Sequence, residues 1–368
     1  MNSLPGGMAV EIFLRDYWQK QPLLIRQAFP DFDGLLTPDE LAGLACEEDA
    51  QSRLVMLSKG QWKVEHGPFA ETRFSKLPKK DWALLVQGVN HFLPEASDLL
   101  QQFSFIPKAR LDDLMVSFAP DGGGVGPHFD SYDVFLIQGS GQRLWRISDQ
   151  QDQSLVEGAP LRILQRFDIC QEWVLNCGDM LYLPPRYAHW GIALGDCMTY
   201  SVGFRAPSAQ ELGTQFLGYL QENLKLQGMY ADPDLQCQVH PAEISAQALD
   251  KVTEMLSAIT WGSDDVIDFL GSYLTEPKSH IVFTPQRAMN KERFTEKLLK
   301  QEIRLALPSQ MLFHERKFYI NGEKIVAGVK ALPTLRELAG KRYCRIVQPD
   351  EELIEQLYAW YRAAYINF

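Results

Sequence analysis

The segment GGGVGPHFDSYDVFLIQG places His128 and Asp130 two residues apart. On a β-strand, positions i and i+2 face the same side, so an imidazole and a carboxylate can point into one interior. Asp133 has the opposite parity to His128 and is excluded as a further ligand. His189, in LYLPPRYAHWG, follows a strand-like run and a Pro-Pro turn and can complete the set from a distant strand. Two histidines and a carboxylate on one face leave positions open for O₂ and a co-substrate, which is the ligand set of non-haem iron(II) oxygenases. H-x-D alone is a weak signal, because a strand histidine is more often a hydrogen-bonded structural group. Three features add to it: a glycine-rich turn leading into His128, the stretch GDMLYLPP before His189, and a basic residue between the two. No G-K-[ST] follows the glycines, so the turn is not a phosphate cradle. Histidines 66, 91, 240, 280 and 314 have no such context and read as structural or surface groups.

That basic residue lies in GSGQRLWRIS, where Arg143, Trp145 and Ile147 share one strand face. A guanidinium on an apolar face needs an anion, and it can grip a carboxylate through two parallel hydrogen bonds. Arg143 is therefore assigned to the far carboxylate of 2-oxoglutarate, with Arg146 on the opposite face as the competing candidate.

Elements that could position these groups are legible around them. From residue 111, the runs LMVSFA, VFLIQG, RLWRIS, EWVLN, MLYLP and MTYSVGF alternate with turns rich in Gly, Pro and Asp. Short β-rich runs at this spacing predict a barrel or sandwich within an α+β chain. Near 207 the pattern changes: Leu212, Phe216, Leu220 and Leu224 recur every four residues after Pro207-Ser208, predicting an amphipathic helix. Further helices are expected at about 242–258 and 264–274. In the last hundred residues KERFTEKLLKQEI reads as helix, ERKFYINGEKI as a hairpin turning at Asn321-Gly322, LPTLRELAGKR as helix, CRIVQ as strand and PDEELIEQLYAWYRAAYINF as a final helix. The expected division is 1–207, 208–275 and 276–368, the last resembling a winged helix.

Composition narrows the class. With 46% apolar and 23% charged residues over 368 positions, a folded chain with a large core is expected. No run of about 18 apolar residues and no signal-like N-terminus is present, and the six cysteines are scattered, so a cytoplasmic protein with reduced thiols is expected. The 18 basic and 26 acidic residues of 1–208 leave −8 of the net −11, which suits a basic partner and disfavours direct binding of nucleic acid.

GGGVGPHFDSYDVFLIQGSGQRLWRI, GDMLYLPPRYAHWG and YSVGFRAP resemble the bacterial branch of the ribosomal oxygenases, a Jumonji-C subgroup. The resemblance implies a double-stranded β-helix (jelly-roll, cupin-like) catalytic domain, a helical dimerisation segment giving a homodimer, and a C-terminal winged helix. It implies Fe(II), 2-oxoglutarate and O₂, with the iron on His128, Asp130 and His189 and the co-substrate on Arg143. Ser117 and Thr199 fall where the family supports 2-oxoglutarate. It further implies hydroxylation of the β-carbon of an arginine in the sixteenth large-subunit ribosomal protein. On that implication Asp121, in the turn PDGGGVGP before His128, is a candidate to meet the arginine guanidinium; its alternative is a simple turn role, which Pro-Asp-Gly fills well. A methyl-lysine demethylase on the same fold, or a cupin-like binding protein with an inert triad, are the alternatives.

Overall fold

A computed structural model describes residues 3–285 and 289–368. The catalytic half is built from twelve strands: β1 Leu23–Ile25, β2 Ser52–Ser58, β3 Gln61–His66, β4 Trp82–Val86, β5 Leu111–Ala119, β6 His128–Phe129, β7 Val134–Gln138, β8 Gln142–Ser148, β9 Gln171–Leu175, β10 Met180–Leu183, β11 Ala188–Leu194 and β12 Cys197–Phe204. One sheet runs β1-β10-β7-β12-β5-β4-β2-β3 and the other β6-β11-β8-β9, every pairing being antiparallel. Strands β5 to β12 thus divide four and four between two sheets, the double-stranded β-helix, and β1 and β2–β4 extend the larger one.

The central strands read as unbroken apolar runs because both faces of the larger sheet are covered. In β7, Val134 and Leu136 face the interior with Trp145, Ile147 and Leu181. Phe135 and Ile137 face outward into a layer containing Phe13, Leu41, Phe103 and Tyr182. Phe13 and Leu41 come from the short helices Val10–Asp16 and Pro38–Leu44, the second closed by a capping box between Thr37 and Glu40. Asp133, set aside as a ligand on parity, is fully buried in this outer layer, where it accepts hydrogen bonds from the Tyr182 hydroxyl (2.6 Å) and Gln19 Nε2 (2.9 Å).

Backbone contacts divide the chain into two compact units. The first is Met1–Ala206 with Pro277–Ser309 and Arg342–Phe368. Beyond the barrel it holds helices Lys291–Leu298 and Glu351–Arg362 and a small sheet of Glu302–Leu305 between Tyr343–Arg345 and Ile366–Asn367. The helix expected through KERFTEKLLKQEI therefore stops at Leu298; EIRL alternates exposed and buried and pairs as a strand instead.

The second unit is Pro207–Glu276 with Gln310–Lys341. Helix Ala209–Asn223 begins at Ser208, whose side chain caps Glu211 N, and helices Ala246–Ser257 and Ser263–Thr275 follow. The hairpin turns at Asn321-Gly322 with φ of 49° and 88°, the left-handed pair that a two-residue turn requires. The apolar stripe of the first of these helices is largely satisfied within this unit. Leu220 is buried, and Phe216 packs on Trp261 and Phe269 at ring distances of 5.3 and 5.2 Å. The row left exposed lies on Ala246–Ser257 instead: Leu249, Val252 and Leu256.

Candidate metal centre

Neighbouring strands of the smaller sheet bring the histidines directly opposite one another. In the register of β6 and β11, His189 pairs with His128, their rings 4.3 Å apart. His189 follows β10 and the Pro184-Pro185 turn and is the second residue of β11. Asp130 stands one residue past β6, with its carboxylate 3.8 Å from His128 Nε2 and 3.5 Å from His189 Nε2. One ligand atom from each residue falls within 4.8 Å of the others, and this is the one such grouping of possible metal ligands among the described residues.

Each ring is held by its other nitrogen. Nδ1 of His128 lies 2.9 Å from the Gly126 carbonyl and Nδ1 of His189 3.3 Å from the Tyr187 carbonyl. A carbonyl only accepts, so both Nδ1 atoms carry the proton and both Nε2 lone pairs face the carboxylate. Burial, together with the neighbouring His128, pushes the His189 imidazole down to about 4, so it stays neutral and ligand-competent at neutral pH.

Beside the triad lies a cavity of about 420 Å³ with Arg143, Trp145 and Ser117 in its wall. Arg143 is 5% exposed and donates from Nη1 to Ser117 Oγ at 3.3 Å. Its Nε and Nη2, and the indole Nε1 of Trp145, are buried without a hydrogen-bond partner among the described residues. Three unsatisfied donors in one wall, two of them on a charged guanidinium, form a receptor for an anion, since each left unmade costs about 1–3 kcal/mol. The indole packs against Gly191, where a Cβ would come within 2.7 Å of the ring, and lies 5.9 Å from the His189 ring. Arg146, the competing candidate, is engaged elsewhere: it pairs with Glu172 at 3.1 Å and lies over Trp190.

The remaining expected residues are placed differently. Thr199 sits opposite Ser117 in the register of β5 and β12, yet it is outside the cavity wall and its hydroxyl donates to Gln138 Oε1 at 3.4 Å. Asp121 is exposed and outside the wall, and its carboxylate accepts the Gly195 N–H at 3.0 Å. Its own turn is closed by the backbone, Gly123 N–H donating to the Pro120 carbonyl at 2.9 Å. Besides Asp130, the acids that line the cavity are Asp112 and Asp113 at the start of β5, accompanied by Gln87, Met115 and Tyr132. Two adjacent acids in LDDLMVSFA were the available signal, though an acidic pair is commonplace on a surface.

Two family models match the chain, a JmjC domain over residues 98–212 and a ROXA-like winged helix over 254–367. The chain is 37% identical over 316 residues to the ribosomal protein uL16 3-hydroxylase of Escherichia coli, covering 85% of this chain and 84% of that protein. A probable ribosomal oxygenase of Haemophilus influenzae is 46% identical over 214 residues, covering 57% of this chain and 52% of that protein. Among solved structures, the Escherichia coli ribosomal oxygenase YcfD in complex with cobalt and 2-oxoglutarate superposes with a TM-score of 0.83 at 34% identity, covering 97% of both chains.

Proposed function

This chain belongs to the JmjC ribosomal oxygenases, and from that premise we propose that His128, Asp130 and His189 hold its iron(II) while Arg143 anchors 2-oxoglutarate. The chain is a 2-oxoglutarate-dependent oxygenase that hydroxylates a ribosomal protein. The observation that carries the site reading is the set of buried, unpartnered donors on Arg143 and Trp145 beside a His-Asp-His cluster. A dicarboxylate reaching both fits the residues present. When bound, iron(II) and 2-oxoglutarate supply the chemistry of inserting one atom of O₂ into an unactivated carbon–hydrogen bond, with succinate and CO₂ as co-products.

The protein's own groups do the rest. Gly126 and Tyr187 carbonyls fix the imidazoles. Ser117 orients the Arg143 fork, which then offers two parallel N–H groups to a carboxylate. Trp145, 5% exposed, walls the site from water.

For the substrate we propose an arginine of uL16, hydroxylated at its β-carbon. The aliphatic stem would lie along Met115 and Tyr132, and the guanidinium would meet Asp112 and Asp113. The excess acidity of residues 1–208 attracts a basic protein over a distance. Succinate formation with iron(II) and O₂ should be stimulated by an arginine-containing uL16 peptide. Stimulation by a methyl-lysine peptide instead would turn the reading to demethylation.

The region 208–275 we propose as a dimerisation segment, the exposed row Leu249, Val252 and Leu256 giving each copy an apolar face to cover. Light scattering at micromolar concentration is expected to give twice the 41.9 kDa chain mass, and Leu249→Asp with Leu256→Asp to give the single mass. A monomeric parent, or a doubly substituted dimer, would count against this face.

A further inference from the structure

Asp112 and Asp113 create an electrostatic problem that the barrel does not solve alone. They are consecutive residues of β5, both line the cavity, and Asp113 is 2% exposed. Burial and the adjacent Asp112 push the Asp113 carboxyl upward, toward its neutral form, against the opposing pull of Lys278 and Gln87. A neutral acid there would lose most of its attraction for a guanidinium. Inside the barrel the Gln87 amide answers part of this, donating to both Asp113 oxygens at 2.8 and 3.0 Å. The cation comes from far along the chain. Lys278 places its ammonium 3.1 Å from Asp113 Oδ2 and 3.1 Å from Asp112 Oδ1, bridging the two acids. Arg205 also approaches Asp112, at 3.4 Å. Lys278 follows helix Ser263–Thr275, in a stretch without helix or strand, 165 residues from Asp113.

We propose that Lys278 is a positioning residue for substrate choice: its bridge holds Asp112 and Asp113 together and aimed, so that the cavity selects a guanidinium over a neutral side chain of the same shape. The inference rests on the arginine reading above. Asp113 accepts three hydrogen bonds where a carboxylate offers about four lone pairs, so a further donor fits without displacing Lys278. A segment downstream of the barrel thereby sets the barrel's specificity.

The test compares a uL16 peptide bearing arginine with the same peptide bearing citrulline, whose urea is the neutral near-isostere. The parent enzyme should favour arginine in kcat/KM. Lys278→Met, which keeps the aliphatic stem, should reduce that preference by at least about tenfold, chiefly through a higher KM for the arginine peptide. Lys278→Arg should restore most of it. A salt bridge that merely stabilised the fold would lower both peptides together and leave the ratio alone. Should Lys278→Met lose its cooperative melt, Lys278→Gln, which keeps a polar tip without charge, is read in the same way. An unchanged or increased preference in the neutral variants overturns the proposal alone. A parent enzyme that modifies neither peptide overturns the arginine reading and this proposal with it.

Discussion

Asp130→Ala is expected to bring 2-oxoglutarate turnover down to the background rate while the protein stays folded. The two imidazoles left behind are both neutral donors, and neither supplies the negative charge that makes a hard iron(II) site. No second grouping of possible ligands lies among the described residues to take over. The fold should survive because Asp130 is at the end of a two-residue strand and its ion-pair contacts are the imidazoles, at 3.8 and 3.5 Å. Removing it should therefore change stability by about 0.5 kcal/mol or less, as for other substitutions away from the core. His189→Ala should abolish turnover equally. Chelation of the parent protein should do the same, with activity returning on addition of iron(II). Succinate release and bound iron, measured on one preparation, check the pair of claims. Full turnover in either variant would remove the triad from the account.

Arg143→Ala should raise the KM for 2-oxoglutarate roughly ten- to hundredfold, the equivalent of about 1.5–3 kcal/mol for a lost charge-assisted pair of hydrogen bonds. Iron binding should be little affected, since Arg143 touches Ser117 and Trp145 and not the triad. The stability signature is distinctive. In the free protein Arg143 is a buried cation with two unpartnered nitrogens, so its removal should leave the melting temperature unchanged or raise it. The parent should gain stability with 2-oxoglutarate and the variant should not. Arg143→Lys should rescue poorly, because an ammonium cannot offer the planar fork. An unchanged KM for 2-oxoglutarate would mean that another group holds the carboxylate.

Much of this site is legible in the amino-acid sequence itself. Metal ligands come from few residue types, and His128, Asp130 and His189 stand out against a glycine-rich turn and a Pro-Pro turn. The barrel strands show as apolar runs between Gly and Pro, and Asn321-Gly322 marks its hairpin because only a few residues accept positive φ. What the sequence hides is of two kinds. The first is pairing across long separations. Asp113 with Gln87 and Lys278 leaves no periodic trace, since nothing local in LDDLMVSFA tells a cavity acid from a surface one. The second is competition between local roles. Asp121 stands in the turn closed between Pro120 and Gly123, and its carboxylate takes the Gly195 N–H. The stripe through Phe216 and Leu220 has an internal partner in helix Ser263–Thr275, which moves the exposed apolar row to another helix. EIRL continues a helical pattern but is taken by strand partners on both sides.

The central claim is that this chain puts one oxygen atom on an arginine of uL16. Purified uL16 incubated with the enzyme, iron(II), 2-oxoglutarate and O₂ should gain the mass of one oxygen, localised by tandem mass spectrometry to a single arginine, with the oxygen on its β-carbon. One succinate should form per oxygen added, and Asp130→Ala should add none. Unmodified uL16 in the presence of steady succinate formation, or an oxygen placed on a residue other than arginine, would contradict the account.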